Sequence, residues 1–244
     1  MDRSKGTQKN TREYFLEFLM LFAAVTLGFF AENQREAIGE KERGVQYAMR
    51  LIEDLDLDSI RLDEVMDNYD QKIKQINTLI PLMQGAMPAA AFYDSLYAFY
   101  TLPSARAIVS GVSFVENLAT RDELKAGNMR LIRSDSIVRR ISLYTRREAI
   151  YIGNQTRYRD KRMQIIDLVE EIYDMPQLAM ERMKGIKEHK VIVINKNPEK
   201  VRTLVNYIVH LQNMIHNLQA NVAGMRLERW VLKRHLEEYI ANNS

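Results

Sequence analysis

Two kinds of apolar pattern run along the chain. The first is continuous: from Tyr14 to Ala31, YFLEFLMLFAAVTLGFFA, a single acid, Glu17, interrupts the apolar residues, and between Phe18 and Phe30 only Thr26 is polar. Eighteen residues of helix reach about 27 Å, close to the hydrocarbon thickness of a bilayer. A helix that is apolar all round lacks the polar stripe of a soluble surface helix. The stretch predicts one transmembrane helix. Its exit, LGFFAENQRE, places phenylalanines where a leader cleavage site needs small residues, which argues against a removed signal peptide.

The second pattern is periodic. From Val45 a seven-residue frame holds Val45, Ile52, Ser59, Met66, Ile73 and Ile80 at one position and Ala48, Leu55, Leu62, Tyr69, Ile76 and Met83 at the other. Leu51, Val65 and Leu79 lie beside it and widen the stripe to that of a bundle helix. Read backwards, the frame passes Ile38, Ala31, Ala24 and Glu17, while Gly39 and Gly44 weaken the helix between. A cap, a first-turn proline and an acid, Asn197-Pro198-Glu199, open a last long helix. Its frame is Val201, Ile208, Ile215, Val222, Arg229 and Leu236 with Leu204, Leu211, Leu218, Met225, Leu232 and Tyr239. Another long helix is expected from Asp135, capped by Ser134, to near Tyr173. Three long helices with one apolar stripe each predict an antiparallel three-helix arrangement.

The connections carry shorter signals. Gly85 and Pro88 end the first bundle helix, and FYDSLYAFYTL predicts a short aromatic helix stopped by Pro103. In TRDELKAGN, Thr120 and Glu123 have capping-box spacing and Gly127 supplies a left-handed stop. Met175-Pro176 opens a short helix. KVIVINKN reads as a lone strand whose mate is another copy of the chain or the stretch Ala107 to Val112.

The fold class that follows is all-α: one N-terminal transmembrane helix, then a long-helix, coiled-coil-like bundle with at most a minor β patch. The expected organisation is a basic tail over 1–12, a transmembrane helix over 13–32, a juxtamembrane hinge over 33–44 and a helical extracytoplasmic domain over 45–244. Arg3, Lys5, Lys9 and Arg12 crowd the tail, whereas AENQREAIGEKER mixes acids and bases, so the positive-inside rule places the tail in the cytoplasm. In a bacterium this means a single-pass inner-membrane protein with its main domain in the periplasm. Composition adds limits. A net charge of +3 over 244 residues gives no global field for nucleic acid, and the absence of cysteine excludes disulfides, thiol nucleophiles and thiolate metal sites.

The segment TRDELKAGNMRLIRSDSIVRRISLY resembles one found in uncharacterised single-span membrane proteins of Bacteroidetes-type bacteria, with the pattern ELKxxGNxRLI followed by a helix ending in tyrosine. An N-terminal span with an early Glu and an Asn- and Glu-rich exit, here AENQRE, is part of the same resemblance. The family has no established activity, so the resemblance implies architecture and location and carries over no catalytic residue.

Candidate sites are few. Glu17 either reaches the headgroups from one turn inside the span or, because a carboxylate is expensive inside a membrane, is a candidate ion site. It shares a stripe with Leu21, Ala24 and Gly28, whose spacing suits close packing of membrane helices. The helix after Ser134 gathers Arg139, Arg140, Arg146, Arg147, Arg157, Arg159 and Arg162, a candidate anion-binding patch. The competing reading pairs this run with Glu53, Asp54, Asp56, Asp58, Asp63 and Glu64 of the first bundle helix. No phosphate loop, nucleophile elbow or metal-ligand spacing occurs, so no catalytic residue, cofactor or metal is expected. The one enzymatic hint is RWVLKRH, in which Arg229 and His235 are similar to the Arg-x(4 to 6)-His motif of HEPN ribonucleases. The expected role is a membrane-anchored, self-associating scaffold or assembly component of the envelope. Its partners would be lipids, further copies and another envelope protein, without nucleic acid. The alternative is an oligomeric pore or ion-coupled subunit using clustered Glu17 side chains.

Overall fold

The structure, a computed structural model, describes residues 11–84, 114, 119–184, 193–195 and 197–243. It is all-α: α1 (Thr11–Gln84), α2 (Ala119–Glu123), a π-helical turn (Leu124–Asn128), a 3-10 turn (Met129–Leu131), α3 (Asp135–Ile172), α4 (Met175–Met183) and α5 (Pro198–Asn243). The 74 residues of α1 form one rod of roughly 110 Å. Its N-terminal part is long and apolar enough to cross a membrane, and its C-terminal half is a wall of the bundle.

The rod runs without interruption through 33–44, the stretch read as a hinge. Two features tie this part to the turn before α3. A β-carbon at Gly44 would lie 2.4 Å from the Leu131 carbonyl oxygen and 2.9 Å from the Tyr239 hydroxyl, so glycine serves close approach here. Glu40 accepts from Arg130 and Arg133, each at 2.8 Å. The Arg133 hydrogen bond, with further attraction from Arg130 and Arg43, holds the Glu40 carboxyl below its ordinary pKa against the opposing effect of desolvation. Among the described residues nothing lies within 4 Å of a β-carbon at Gly39. Gly44→Ala is therefore expected to destabilise by about 1–3 kcal/mol through overpacking. Gly39→Ala should stabilise by roughly 0.5–1 kcal/mol through helix propensity. Chemical denaturation followed by circular dichroism separates the two signs.

Helix α5 packs closely along both α1 and α3 and runs antiparallel to each. Along α1, Asp63 meets Arg226, Asp70 meets Gln219 at 2.6 Å and Asn77 meets Gln212 at 2.7 Å. Along α3, Arg140 meets Glu228 at 3.4 Å and Glu171 meets Lys200 at 2.5 Å. Consequently α1 and α3 are parallel, with Asp58 level with Tyr144 and Lys72 level with Tyr158. The pattern alone suggested antiparallel neighbours throughout. The 50 residues between Gln84 and Asp135 are enough to bring the chain back to its starting end before α3 begins.

The frame of α5 is the one expected: Ile208, Leu211, Ile215, Leu218, Val222, Met225, Leu232, Leu236 and Tyr239 are all buried, with Val201 and Arg229 partly so. In α1 the row Ala48, Leu55, Leu62, Tyr69 and Ile76 is buried, but Val45, Ile52, Ser59, Met66 and Ile73 are only half-buried. The second buried row is Leu51, Asp58, Val65 and Lys72. With α5 on one flank and α3 on the other, both sides of the central row are covered. The side chains of Leu79, Ile80 and Met83 lie outside the described residues.

Local signals fare unevenly. The Asn197 side-chain oxygen accepts from the Glu199 amide at 2.9 Å, and Gly127 has φ 126°, both as expected. Ser134 sits at the cap of α3, but its hydroxyl meets that of Ser136 at 3.0 Å and bonds no backbone amide. Thr120 lies within α2 and does not precede it. Among the described residues the β structure is a single antiparallel bridge between Val193 and Tyr173, so the mate of the apolar stretch is the end of α3. The tail over 1–10, the stop at Gly85 and Pro88, the aromatic helix and the stretch Ala107 to Val112 lie outside the described residues.

Candidate functional site

The backbones of α1 and α3 approach each other far less than either approaches α5, and long side chains fill the space between them. On α3 the buried row is Ile137, Tyr144, Tyr151, Tyr158, Ile165 and Ile172, seven residues apart at each step. Each tyrosine hydroxyl finds a partner on α1. Tyr144 donates to the Asp58 carboxylate at 3.1 Å, the Tyr151 and Tyr69 hydroxyls lie 2.9 Å apart, and Lys72 donates to the Tyr158 hydroxyl at 3.3 Å. Arg121, from α2, ion-pairs with Glu148 and sits 5.5 Å above the Tyr144 ring. Phe114 meets the Tyr151 ring edge-on at 6.0 Å.

This seam is closed to water: Asp58, Lys72, Arg121 and Glu148 are each at most 1% exposed. Burial dominates its acid–base chemistry. It pushes all four tyrosines up, Tyr151 to about 12, and the carboxylates of Asp58 and Glu148 push Tyr144 further. It pushes Lys72 down to about 8, with the nearby Arg162 guanidinium adding to the effect. The seam's groups face one another across the helix gap.

The span is the opposite environment. Every described side chain from Tyr14 to Glu36 is exposed, including Glu17, Leu21, Ala24 and Gly28. Thr26 donates to the Phe22 carbonyl oxygen at 2.8 Å, so its hydroxyl is satisfied within the helix.

The seven arginines of α3 do not form one patch. Arg140 pairs with Glu228, and Arg147 lies over Gly224 of α5. Arg159 pairs with Asp160 at 3.8 Å, and Arg162 is half-buried beside Lys72 and Tyr158. Arg139, Arg146 and Arg157 remain exposed on the outer face, with no ion pair among the described residues. The pairing expected between this helix and the acids of α1 is largely replaced. Asp56 binds Lys233 at 2.7 Å and Arg229 at 3.5 Å, and Asp63 binds Arg226, because that flank of α1 faces α5. Asp58 does bond α3, accepting from Tyr144.

Arg229 and His235 point into different grooves. Arg229 turns to α1, whereas His235 lines a groove with Asp135, Ser136, Arg139, Arg140 and Leu143 of α3. Six residues turn a helix by about 240° beyond a full turn, which accounts for the separation. The two side chains of one chain thus share no site. Trp230 is exposed beside an open groove of about 660 Å³ that includes Asp56, Ser59 and Lys233. No protein-family model, curated protein or solved structure matches the chain.

The polar seam was missed from the sequence, although a signal existed. Tyr144, Tyr151 and Tyr158 recur at seven, as do Leu51, Asp58, Val65 and Lys72. A frame chosen for apolarity passes over a row that contains Asp58 and Lys72.

Proposed function

We propose that this protein is a membrane-anchored, self-associating helical scaffold of the bacterial envelope. The observation that carries this reading is the continuity of α1, in which one helix contains both the apolar segment and a full wall of the bundle core. From Ala31, Glu40 stands about 14 Å along the rod and Lys72 about 60 Å, so the bundle is a post. The polar seam supports a structural role, because closed, paired groups between α1 and α3 fix register. The basic residues before Thr11 favour a cytoplasmic N-terminus and a periplasmic bundle. The resemblance to single-span proteins of Bacteroidetes-type bacteria agrees with this placement.

The test is membrane extraction with alkaline carbonate, followed by light scattering of the detergent particle corrected for bound detergent. The full chain should stay in the membrane pellet and contain more than one copy. A chain lacking 14–31 should be released with its helical content otherwise intact. A full chain that washes off, or a monomeric particle, would overturn the reading. Glu17→Gln should leave proton flux across reconstituted vesicles unchanged; a changed flux would favour the pore.

A further inference from the structure

We infer that the bundle's docking partner is a second copy of this chain, whose acidic outer stripe on α1 lies against the arginine stripe on α3. On α1 the outward stripe is Glu53, Leu57, Ile60 and Glu64, followed by Asp67, all exposed. On α3 it is Arg146, Ile150, Gly153 and Arg157, also exposed and preceded by Arg139. The two sets share one spacing, i, i+4, i+7 and i+11. Charged ends flank apolar residues in both, with Leu57 48%, Ile60 59% and Ile150 45% exposed. Exposed apolar residues framed by charge of opposite sign on the two faces have the composition of mutually complementary patches.

Register supplies the second argument, and it rests on the anchored reading above. Copies held in one bilayer stand parallel and at one height. The contacts between Asp58 and Tyr144 and between Lys72 and Tyr158 are both 86 residues apart, which sets the level of α3 against α1. That offset puts Glu53 level with Arg139, Ile60 with Arg146 and Asp67 with Gly153. Glu64 then lies about 6 Å along the axis from Arg146, and Asp67 about 6 Å from Arg157, within the reach of an arginine side chain. The register imposed by the membrane is therefore one in which the charges meet.

Gly153 is the third observation. A glycine inside a helix costs about 1 kcal/mol relative to alanine. Among the described residues nothing comes within 4 Å of a β-carbon there. Against a neighbouring α1 its missing side chain lets the helices approach where Asp67 stands. Because each stripe lies opposite the buried row of its own helix, the two face away from the core in different directions, so the contact is heterologous and copies add one after another into a ring or a row.

The chain has no cysteine, so engineered pairs report this contact directly. In native membranes, the full chain carrying Glu53→Cys and Arg139→Cys should give a ladder of disulfide-linked multimers on mild oxidation. Glu53→Cys with Arg157→Cys, roughly 27 Å out of level, should not. Neither cysteine alone should dimerise, whereas co-expressed single-cysteine chains should give only a dimer. Glu53→Arg with Glu64→Arg should lower the copy number, and mixing with an Arg139→Glu, Arg146→Glu chain should restore pairing. A ladder from the out-of-level pair, or a dimer from Glu53→Cys alone, would overturn the interface. A multimeric particle with no ladder would overturn it while leaving self-association standing. A monomeric wild-type particle would overturn both.

Discussion

Glu148→Ala is expected to destabilise the bundle by about 3–5 kcal/mol, the usual consequence of stranding one member of a buried ion pair. Its partner Arg121 is 1% exposed and would be left as a buried charge over the Tyr144 ring without this carboxylate. Arg121→Met should cost a similar amount by stranding the carboxylate. Joint replacement, Arg121→Met with Glu148→Leu, should cost clearly less than the sum, because apolar groups of similar volume need no partner. Denaturant unfolding of all four chains gives the cycle. Strictly additive losses would mean that the two side chains are not coupled, and the clasp of α2 onto α3 would need another origin.

Raising the pH should first strengthen the bundle and then unfold it. Lys72 has a folded pKa of about 8 against an ordinary value of 10.5. Between those values the unfolded chain binds a proton that the folded chain lacks, so stability rises with pH, by up to about 3 kcal/mol. The tyrosines act in the other direction. Tyr69, Tyr144, Tyr151 and Tyr158 all have folded pKa values raised above the ordinary 10.0. Above pH 10 the unfolded chain sheds protons that the folded chain keeps. The loss approaches about 1.4 kcal/mol per pH unit for each tyrosine, on the order of 5–10 kcal/mol by pH 12. That is comparable to the whole stability of an ordinary domain. The expected profile has a maximum near pH 9–10 and then a cooperative collapse in which phenolate absorbance and loss of helicity coincide. Lys72→Met should abolish the rise and leave the collapse. Ionisation of all twelve tyrosines with unchanged helicity would show that the seam is open to water.

The elements that could be read from the sequence are those set by local periodicity. The α5 frame from Leu204 to Tyr239, the Asn197 cap and the left-handed Gly127 are decided by residues near in sequence. Direction was harder, because the parallel placement of α1 and α3 depends on where a 50-residue connection returns. The polar seam was hidden for a related reason. Asp58 and Lys72 look like ordinary surface residues until Tyr144 and Tyr158, 86 positions away, arrive opposite them. The arginine run was visible as composition. Its division into residues facing α5, a residue turned inward and the outward stripe of Arg139, Arg146 and Arg157 required the helix faces.

The unbroken rod also couples elevation to azimuth. At roughly 100° per residue, the 45 positions from Glu17 to Leu62 make about twelve and a half turns. One extra residue between 33 and 39 would swing the whole bundle by about 100° while lifting it only about 1.5 Å. Seven would lift it by about 10 Å and return it to within about 20° of its original bearing. The compass direction in which each copy presents its charges is thus written in the length of the short stretch of helix between the span and Glu40.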